Sequence, residues 1–298
     1  MTTSSVFQSE RARLFAIAYR MLGSASDAED VLQDAWLRYE SADRSNVRSP
    51  VAFATTIVTR LCLDRLKAAR ATREHYVGPW LPEPVLTESI AAPDALAERA
   101  ESVTLAFLVM LEALSPEERA VLLLREVFDY DHADVAAMLD TTSDNSRQLL
   151  HRAKARLTRP RLVPSPRDVR RAVAQRFADA LAAGDAAALT ALLTGDVELV
   201  SDGGGKVAAA RRPIAGREAV VAFLVGLRRT ALRNGLAADA SLHIDDVNHE
   251  AAVIVRVAAQ VESVFVLAVS DDLVTAIRVA RNPDKLAHLS RQLAEPPS

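Results

Sequence analysis

From Arg11 to Leu22 the apolar residues Leu14, Phe15, Ala18, Tyr19 and Leu22 fall on one stripe of a helix, and Gly23 ends it. Ser26 and Glu29 have the spacing of a capping box. The helix they open turns Val31, Leu32, Ala35, Trp36 and Tyr39 inward and Glu29, Asp30, Gln33 and Asp34 outward. Ser49-Pro50 starts a third helix, because proline at the first helical position loses no hydrogen bond. It runs to about Arg73 with Phe53, Ile57, Val58 and Leu61 as its core. Residues 76–95 hold Pro79, Pro82, Pro84 and Pro93 and little periodicity, the pattern of a linker. Helical spacing returns from Ser102 to Leu114, and Ser115-Pro116-Glu117-Glu118 starts a helix over about 116–127. Short periodic runs at about 132–139 and 143–157 are joined by Asp140-Thr141-Thr142, and Pro160, Pro164 and Pro166 form a second linker.

Beyond Asp168 the period changes. Helical stretches at about 168–183 and 185–193 lead into the apolar run Val197 to Val200 and the turn Asp202-Gly203-Gly204-Gly205-Lys206. Gly216-Arg217-Glu218 opens a helix to about Arg233. Strand-like alternation follows over 240–247, 251–259, 261–270 and 272–280, with Asp245-Asp246, Asn248 and Asp271-Asp272 as turn residues. Helices followed by a meander of strands predict an α+β domain behind an all-helical front. Apolar runs such as Leu105 to Leu111 are far short of the roughly 20 residues of a membrane span. The polar start of the chain carries no signal-peptide pattern, so the expected location is cytoplasmic, away from membranes.

Charge alters this picture through its distribution. The 298 residues carry 36 basic and 39 acidic side chains, a formal net charge of −3, which taken alone argues against a polyanionic partner. Yet residues 45–73 hold six Arg or Lys against Asp64, and residues 145–171 hold nine against Asp168. Between them, residues 74–144 hold three basic residues against fifteen acidic ones. Neutralising phosphates is a local act, so two basic segments flanking an acidic one are compatible with DNA. The single cysteine, Cys62, excludes an internal disulfide framework and is expected in the core.

Residues 132–157 fit a helix-turn-helix. On the second helix Leu149, Leu150, Ala153 and Leu157 share the buried face, and Arg147, Gln148, His151, Arg152, Lys154 and Arg156 the exposed one. Arg and Gln suit guanine and adenine edges, and flanking basic residues suit phosphates. An ordinary helical hairpin with a solvated basic face gives the same pattern. Arg60, Asp64 and Lys67 form a second exposed stripe with the same two readings. Asp27, Glu29, Asp30 and Asp34 have no basic residue on their own helix before Arg38; they suit a basic protein partner, or in the first turn the helix dipole. Asp202 to Lys206 is not a Walker loop, since Val200 stands where glycine is required and Val207 where Ser or Thr is required. His243, His249, Arg256 and Glu262 could lie inside the C-terminal domain. No Ser-His-Asp set and no metal-ligand spacing is present in the sequence, so no catalytic residue, metal or cofactor is expected.

Together these segments resemble the extracytoplasmic-function (ECF) sigma factors of bacterial RNA polymerase. Asp27-Ala28-Glu29-Asp30-Val31-Leu32-Gln33-Asp34 resembles the region 2 helix that docks on core polymerase. Pro50-Val51-Ala52-Phe53 through Asp64 and Arg70 resembles the helix that melts and reads the −10 element. Ala113 to Arg119 through His151-Arg152-Ala153 resembles region 4, which reads the −35 element. Phe53 and Arg60 depart from the family, which often has Trp and Asn there, so no −10 base preference carries over. Trp80-Leu81-Pro82-Glu83-Pro84, Asp202 to Lys206 and Asn282-Pro283-Asp284-Lys285-Leu286 are similar to three signatures of a subgroup with a C-terminal SnoaL-like domain of the cone-shaped NTF2-like α+β fold.

The resemblance implies a multidomain chain: region 2 at 6–75, a linker at 76–101, region 4 at 102–160, a linker at 161–167 and the SnoaL-like domain at 168–290. It implies polymerase contacts at Asp27, Glu29, Asp30, Gln33 and Asp34, and −10 contacts at Arg48, Thr56, Arg60, Asp64, Lys67 and Arg70. The −35 contacts would be Asn145, Arg147, Gln148, His151, Arg152 and Lys154. Regulatory contacts in cis would join Trp80, Leu81, Pro82, Glu83 and Pro84 to Asp202, Gly203, Gly204, Gly205 and Lys206 and to Asn282, Pro283, Asp284, Lys285 and Leu286. Core RNA polymerase and promoter DNA are the implied partners, with an unknown small ligand of the C-terminal domain as a further one. The rival readings are a SnoaL-like domain with isomerase or cyclase activity, and a DNA-binding regulator that acts without polymerase.

Overall fold

The computed structural model describes residues 3–43, 47, 49–73, 75–87, 104–157, 165–236, 239–258 and 260–294. Two compact units emerge: Met1–His75 with Glu88–Arg159, and Tyr76–Thr87 with Pro160–Ser298. The segment 76–87, the first half of the proline-rich stretch, therefore belongs with the C-terminal unit.

The first unit begins with α1 (Thr3–Ser9), α2 (Arg11–Leu22), α3 (Ala25–Ser41) and α4 (Pro50–Arg73). Leu14, Ile17, Tyr19, Val31, Tyr39, Val58 and Cys62 are buried between them. Phe7 packs edge-on against the half-buried Trp36 with ring centroids 5.3 Å apart. Gly23 closes α2 at a φ of 68°, where its N–H reaches the Tyr19 carbonyl. The cap of α3 differs from expectation: Ser24, not Ser26, accepts the Asp27 N–H at 3.1 Å. Ser24 is extended and the helix already turns at Ala25, which places Ser26 inside the first turn. Arg20 is buried, donates to the Ala16 carbonyl at 3.1 Å and lies over Phe128; burial lowers its guanidinium to about 10.

The unit continues with α5 (Leu105–Leu111), α6 (Pro116–Leu122) extended by a π turn over Leu123–Val127, α7 (His132–Met138) and α8 (Ser143–Arg156). Ser115 and Glu118 form the expected capping box. Asp131 and Thr142 cap α7 and α8, and Val121, Leu124, Val135, Met138 and Leu149 form the small core between these helices. The two helical groups share buried polar contacts. The Arg119 guanidinium donates to the Met21 carbonyl at 2.8 Å and the Leu111 carbonyl at 2.7 Å. Thr55 and Tyr130 hydroxyls share a 2.9 Å hydrogen bond.

In the second unit α9 (Arg167–Ala183) and α10 (Ala186–Leu192) precede β1 (Leu193–Asp202), β2 (Ile214–Ala215), α11 (Arg217–Arg233), β3 (Ala240–Val247), β4 (Glu250–Val257), β5 (Gln260–Ser270), β6 (Leu273–Ala280) and α12 (Pro283–Ala294). The six strands run in the order β2-β1-β6-β5-β4-β3, antiparallel except for β1 beside β6. Val253, Phe265, Leu267, Val269, Ile277 and Val279 line the inner face and pack with Phe177, Leu181, Val220 and Leu224 in one apolar cluster. This is the α+β unit that the change of period after Asp168 predicts. Two of its hairpins turn on paired residues with positive φ, Asn248-His249 and Asp271-Asp272, which suits the right-handed strand twist. The third signature segment leads into α12; Pro283 stands at its start, and Leu286 and Leu289 bury one face. His243 is exposed rather than internal and bonds Ser241, while Glu262 pairs with Arg281 at 3.2 Å. No helix among the described residues is long and apolar enough to cross a membrane.

With Ser24 as the cap, Ser24→Ala costs about 1 kcal/mol of stability and Ser26→Ala much less. Urea unfolding followed by circular dichroism reads the difference; equal losses would contradict it.

Candidate nucleic-acid interface

The outer side of α8 presents Arg147, Gln148, His151, Arg152, Lys154 and Arg156, all exposed. The first four line one shallow depression. Asn145 donates to the Thr141 hydroxyl at 2.8 Å, and Arg147 pairs with Asp144 at 2.7 Å. Arg152 and Arg156 reach back to the buried carboxylate of Glu118 at 3.7 and 2.5 Å, and Lys154 pairs with Glu126 at 3.0 Å. Glu118 thus caps α6 with one hand and fixes the register of α8 with the other. His132 and Ser146 share a 2.9 Å hydrogen bond between the two helices of the motif. Burial, with Arg125 and Arg147 nearby, holds the His132 imidazole below its ordinary range, so it is neutral near pH 7.

On α4, Thr56 bonds its own backbone at the Ala52 carbonyl, and Asp64 is exposed. Arg60 and Lys67 share the expected exposed stripe but are not free on it. Arg60 donates to the carbonyls of Met138 at 3.0 Å and Ala137 at 3.4 Å, where α7 ends and its dipole favours a cation. Lys67 pairs with Glu117 at 3.0 Å. Arg70 lies on α4; its side chain and Arg48 are outside the described residues.

The carboxylates of α3 are not the unpaired set that their own helix suggests. Arg65, from α4, reaches Asp27, Asp30 and Asp34 at 3.1, 3.5 and 3.6 Å, and Arg11 pairs with Glu29. These pairs are solvent-exposed, each worth about 0–1 kcal/mol, and are readily exchanged for another partner. Gln33 is exposed, and so is Leu37, at 61 %. Leu37 lies on the stripe of Asp30, Gln33 and Asp34, a position the outward pattern of the helix held but reading for charge alone passed over.

In the C-terminal unit the three signature segments meet at Asp202, which is 1 % exposed. Its Oδ1 accepts from the Tyr76 hydroxyl at 2.6 Å and the Gly204 N–H at 2.9 Å. Its Oδ2 accepts from the Leu81 N–H at 2.8 Å and Lys285 Nζ at 2.7 Å. Lys285 also donates to the Leu81 carbonyl at 2.5 Å and sits 4.1 Å from the Trp80 ring centre. Burial and the bond to Asp202 push the Tyr76 phenol up, so it remains a donor. Asn282 donates to the Tyr76 oxygen at 3.0 Å and accepts the Asp284 N–H at 3.1 Å, and Lys206 pairs with Asp284 at 2.5 Å. Leu81, Pro82, Glu83 and Pro84 are buried, as is Leu286; Pro283 and Gly205 are exposed. Gly204 has a φ of 60°, and a Cβ there would stand 2.3 Å from the Asn282 amide, so only glycine fits. A Cβ on Gly203 would stand 2.5 Å from the Val207 carbonyl oxygen. Tyr76 joins this cluster from outside the expected motif. No three His, Cys, Asp or Glu side chains gather as a metal site among the described residues.

A helical bundle with an acidic face, a helix-turn-helix with a basic one and an α+β unit gripping a nearby chain segment define a DNA-binding transcription factor. The family models for Sigma-70 region 2 and Sigma-70, region 4 match residues 6–72 and 104–157. The chain is 36% identical to the ECF RNA polymerase sigma factor SigJ of Mycobacterium tuberculosis over 98% of its own length and 96% of that protein. It is 29% identical to the probable ECF RNA polymerase sigma factor SigI of the same organism over 97% of both. The crystal structure of Mycobacterium tuberculosis SigJ superposes with a TM-score of 0.73 and 34% identity, covering 95% of this chain and 98% of that one. The chain belongs to the ECF RNA polymerase sigma factors. It is an alternative sigma factor that initiates transcription with core RNA polymerase on promoter DNA, and not an enzyme.

Lys285→Met leaves the Asp202 carboxylate buried beside fewer donors, which typically costs about 3–5 kcal/mol. The check is a lowered thermal unfolding midpoint of the full chain; an unchanged midpoint would show that the pair contributes nothing.

Proposed function

We propose that α3 docks on core polymerase through Asp27, Glu29, Asp30, Gln33 and Asp34, with Leu37 as the apolar centre of the patch. The −10 element is captured by α4 through Arg48, Thr56, Arg60, Asp64, Lys67 and Arg70. The −35 element is read by α8: Asn145, Arg147, Gln148 and His151 face the bases, while Arg152 and Lys154 face phosphates. Arg60 and Lys67 have partners on α7 and α6 that compete with DNA, so polymerase binding and −10 capture must release those contacts. The work is done in the cytoplasm, where the polymerase is. The C-terminal unit regulates these steps in cis by holding residues 76–87, the segment that leads from α4 toward region 4.

The observation that carries the regulatory reading is the buried Asp202–Lys285 pair closed on Tyr76, Trp80 and Leu81. A proline-rich segment is semi-rigid, and fixing one end of it fixes direction as well as position. The regulator we propose is therefore the segment itself.

Tyr76→Phe removes the hydroxyl shared by Asp202 and Asn282 with little change in volume. In transcription with core polymerase it should change the rate of promoter-dependent initiation while holoenzyme assembly is retained; an unaltered rate would sink the regulatory reading. Arg147→Ala should cost about 1–3 kcal/mol of binding to the −35 sequence. An equal loss on scrambled −35 DNA would mean that Arg147 contacts phosphate alone.

A further inference from the structure

Region 4 is an insertion in the chain of the C-terminal unit: the chain leaves that unit after Thr87 and rejoins it from Ser165 onward. Both flanks of the insertion are tied to one place, the hairpin between β3 and β4. On the upstream flank the Asn248 N–H donates to the Val85 carbonyl at 3.0 Å, and the Val85 N–H donates to Asn248 Oδ1 at 3.2 Å. The Thr87 hydroxyl donates to the Asp246 carbonyl at 2.8 Å and accepts the His249 N–H at 2.9 Å. Leu86 forms a bridge to Val247, and its N–H donates to Gln292 of α12 at 3.1 Å. On the downstream flank Arg167 and Arg171 donate to Asp246 Oδ2 at 2.5 and 3.5 Å, and Arg170 donates to the His249 carbonyl. Asp246 is 5 % exposed and Asn248 fully buried. None of these hairpin residues belongs to the three signature segments.

We infer that the hairpin Asp246–His249 is the mount of region 4, and that Asn248 and Thr87 are positioning residues for promoter reading. The inference rests on the reading that the C-terminal unit sets the geometry of the DNA readers. Asp202 and Lys285 hold the segment at Tyr76 and Leu81; the hairpin holds it again at Val85 to Thr87. Losing the second hold while keeping the first adds residues 82–87 to the tether of region 4, roughly 20 Å of extended reach. That is several times the 3.4 Å rise of one base pair, so the tolerated distance between −10 and −35 elements widens. Asn248 and His249 stand at φ of 52° and 58°, a turn that glycine also adopts without strain. Asn248→Gly therefore removes the side-chain acceptor and spares the turn, and Thr87→Val removes both hydroxyl bonds at nearly constant volume.

The experiment uses the full chain with core polymerase on a promoter selected by the holoenzyme, with the spacer lengthened and shortened by one and two base pairs. Asn248→Gly and Thr87→Val should lose most of the discrimination between spacers, and Thr87→Ser, which keeps the hydroxyl, should retain it. Hydrogen exchange on the free factor should show the Val85 amide exchanging about tenfold faster or more in Asn248→Gly. An unchanged Val85 amide, or faster exchange with the wild-type spacer profile, overturns the inference. Tyr76→Phe separates the two readings. If it alters initiation while Asn248→Gly and Thr87→Val keep the normal profile, the mount is wrong and the regulatory reading stands. If all three leave transcription untouched, both are wrong.

Discussion

A carboxylate taken out of water must find donors for its lone pairs, and the C-terminal unit is organised around one that does. Asp202 stands at the end of β1 with its side chain buried, and accepts from a phenol, two backbone amides and an ammonium group. Two of those donors, Tyr76 and Leu81, come from a segment more than a hundred residues upstream. The ammonium, from α12, is itself covered by Trp80 and Tyr76. Remove the upstream segment and the ion pair faces solvent on one side while the apolar residues around it lose their cover. The segment is therefore part of the unit's interior, not a connector passing over its surface.

The helical unit follows a different logic, in which exposed charges have local partners of modest strength. Arg65 serves three carboxylates of α3, Lys67 pairs with Glu117 and Lys154 with Glu126. Exposed pairs of this kind cost little to exchange. A polyanion or a basic protein surface can replace them one for one, which suits a protein that must change partners during each round of initiation. The buried contacts, Arg119 with the Met21 carbonyl and Thr55 with Tyr130, are the ones that resist.

Most of the architecture was readable from period and punctuation. The stripe Leu14-Phe15-Ala18-Tyr19-Leu22, the Ser115–Glu118 box and the turn residues Asn248 and Asp271-Asp272 correspond to a helix, a cap and two hairpins. Capping at Ser24 escaped because two serines and several acids compete at that helix start, and only the backbone angle of Ser24 decides. The helix at 283–294 escaped because Asn-Pro-Asp reads as a turn until the burial of Leu286 and Leu289 is known. At the sites, the exposed face of α8 was legible because helix geometry alone determines it. The partners of Arg60, Lys67 and the α3 carboxylates were not, because they come from other helices and no local pattern encodes them. Tyr76, just ahead of the Trp80–Pro84 motif, carried no signal beyond being an aromatic in a proline-rich stretch.

The wide separation between the 76–87 segment and its partners also has a meaning in time. A ribosome adding about 5–20 residues per second takes about 10–40 s to pass from Thr87 to the end of α12. In that interval both helical readers have emerged, and the segment between them has nothing to pack against until β1, the β3–β4 hairpin and α12 have been made. Each new molecule thus passes through a stage in which its helices α1 to α8 exist before the unit that holds segment 76–87 is complete.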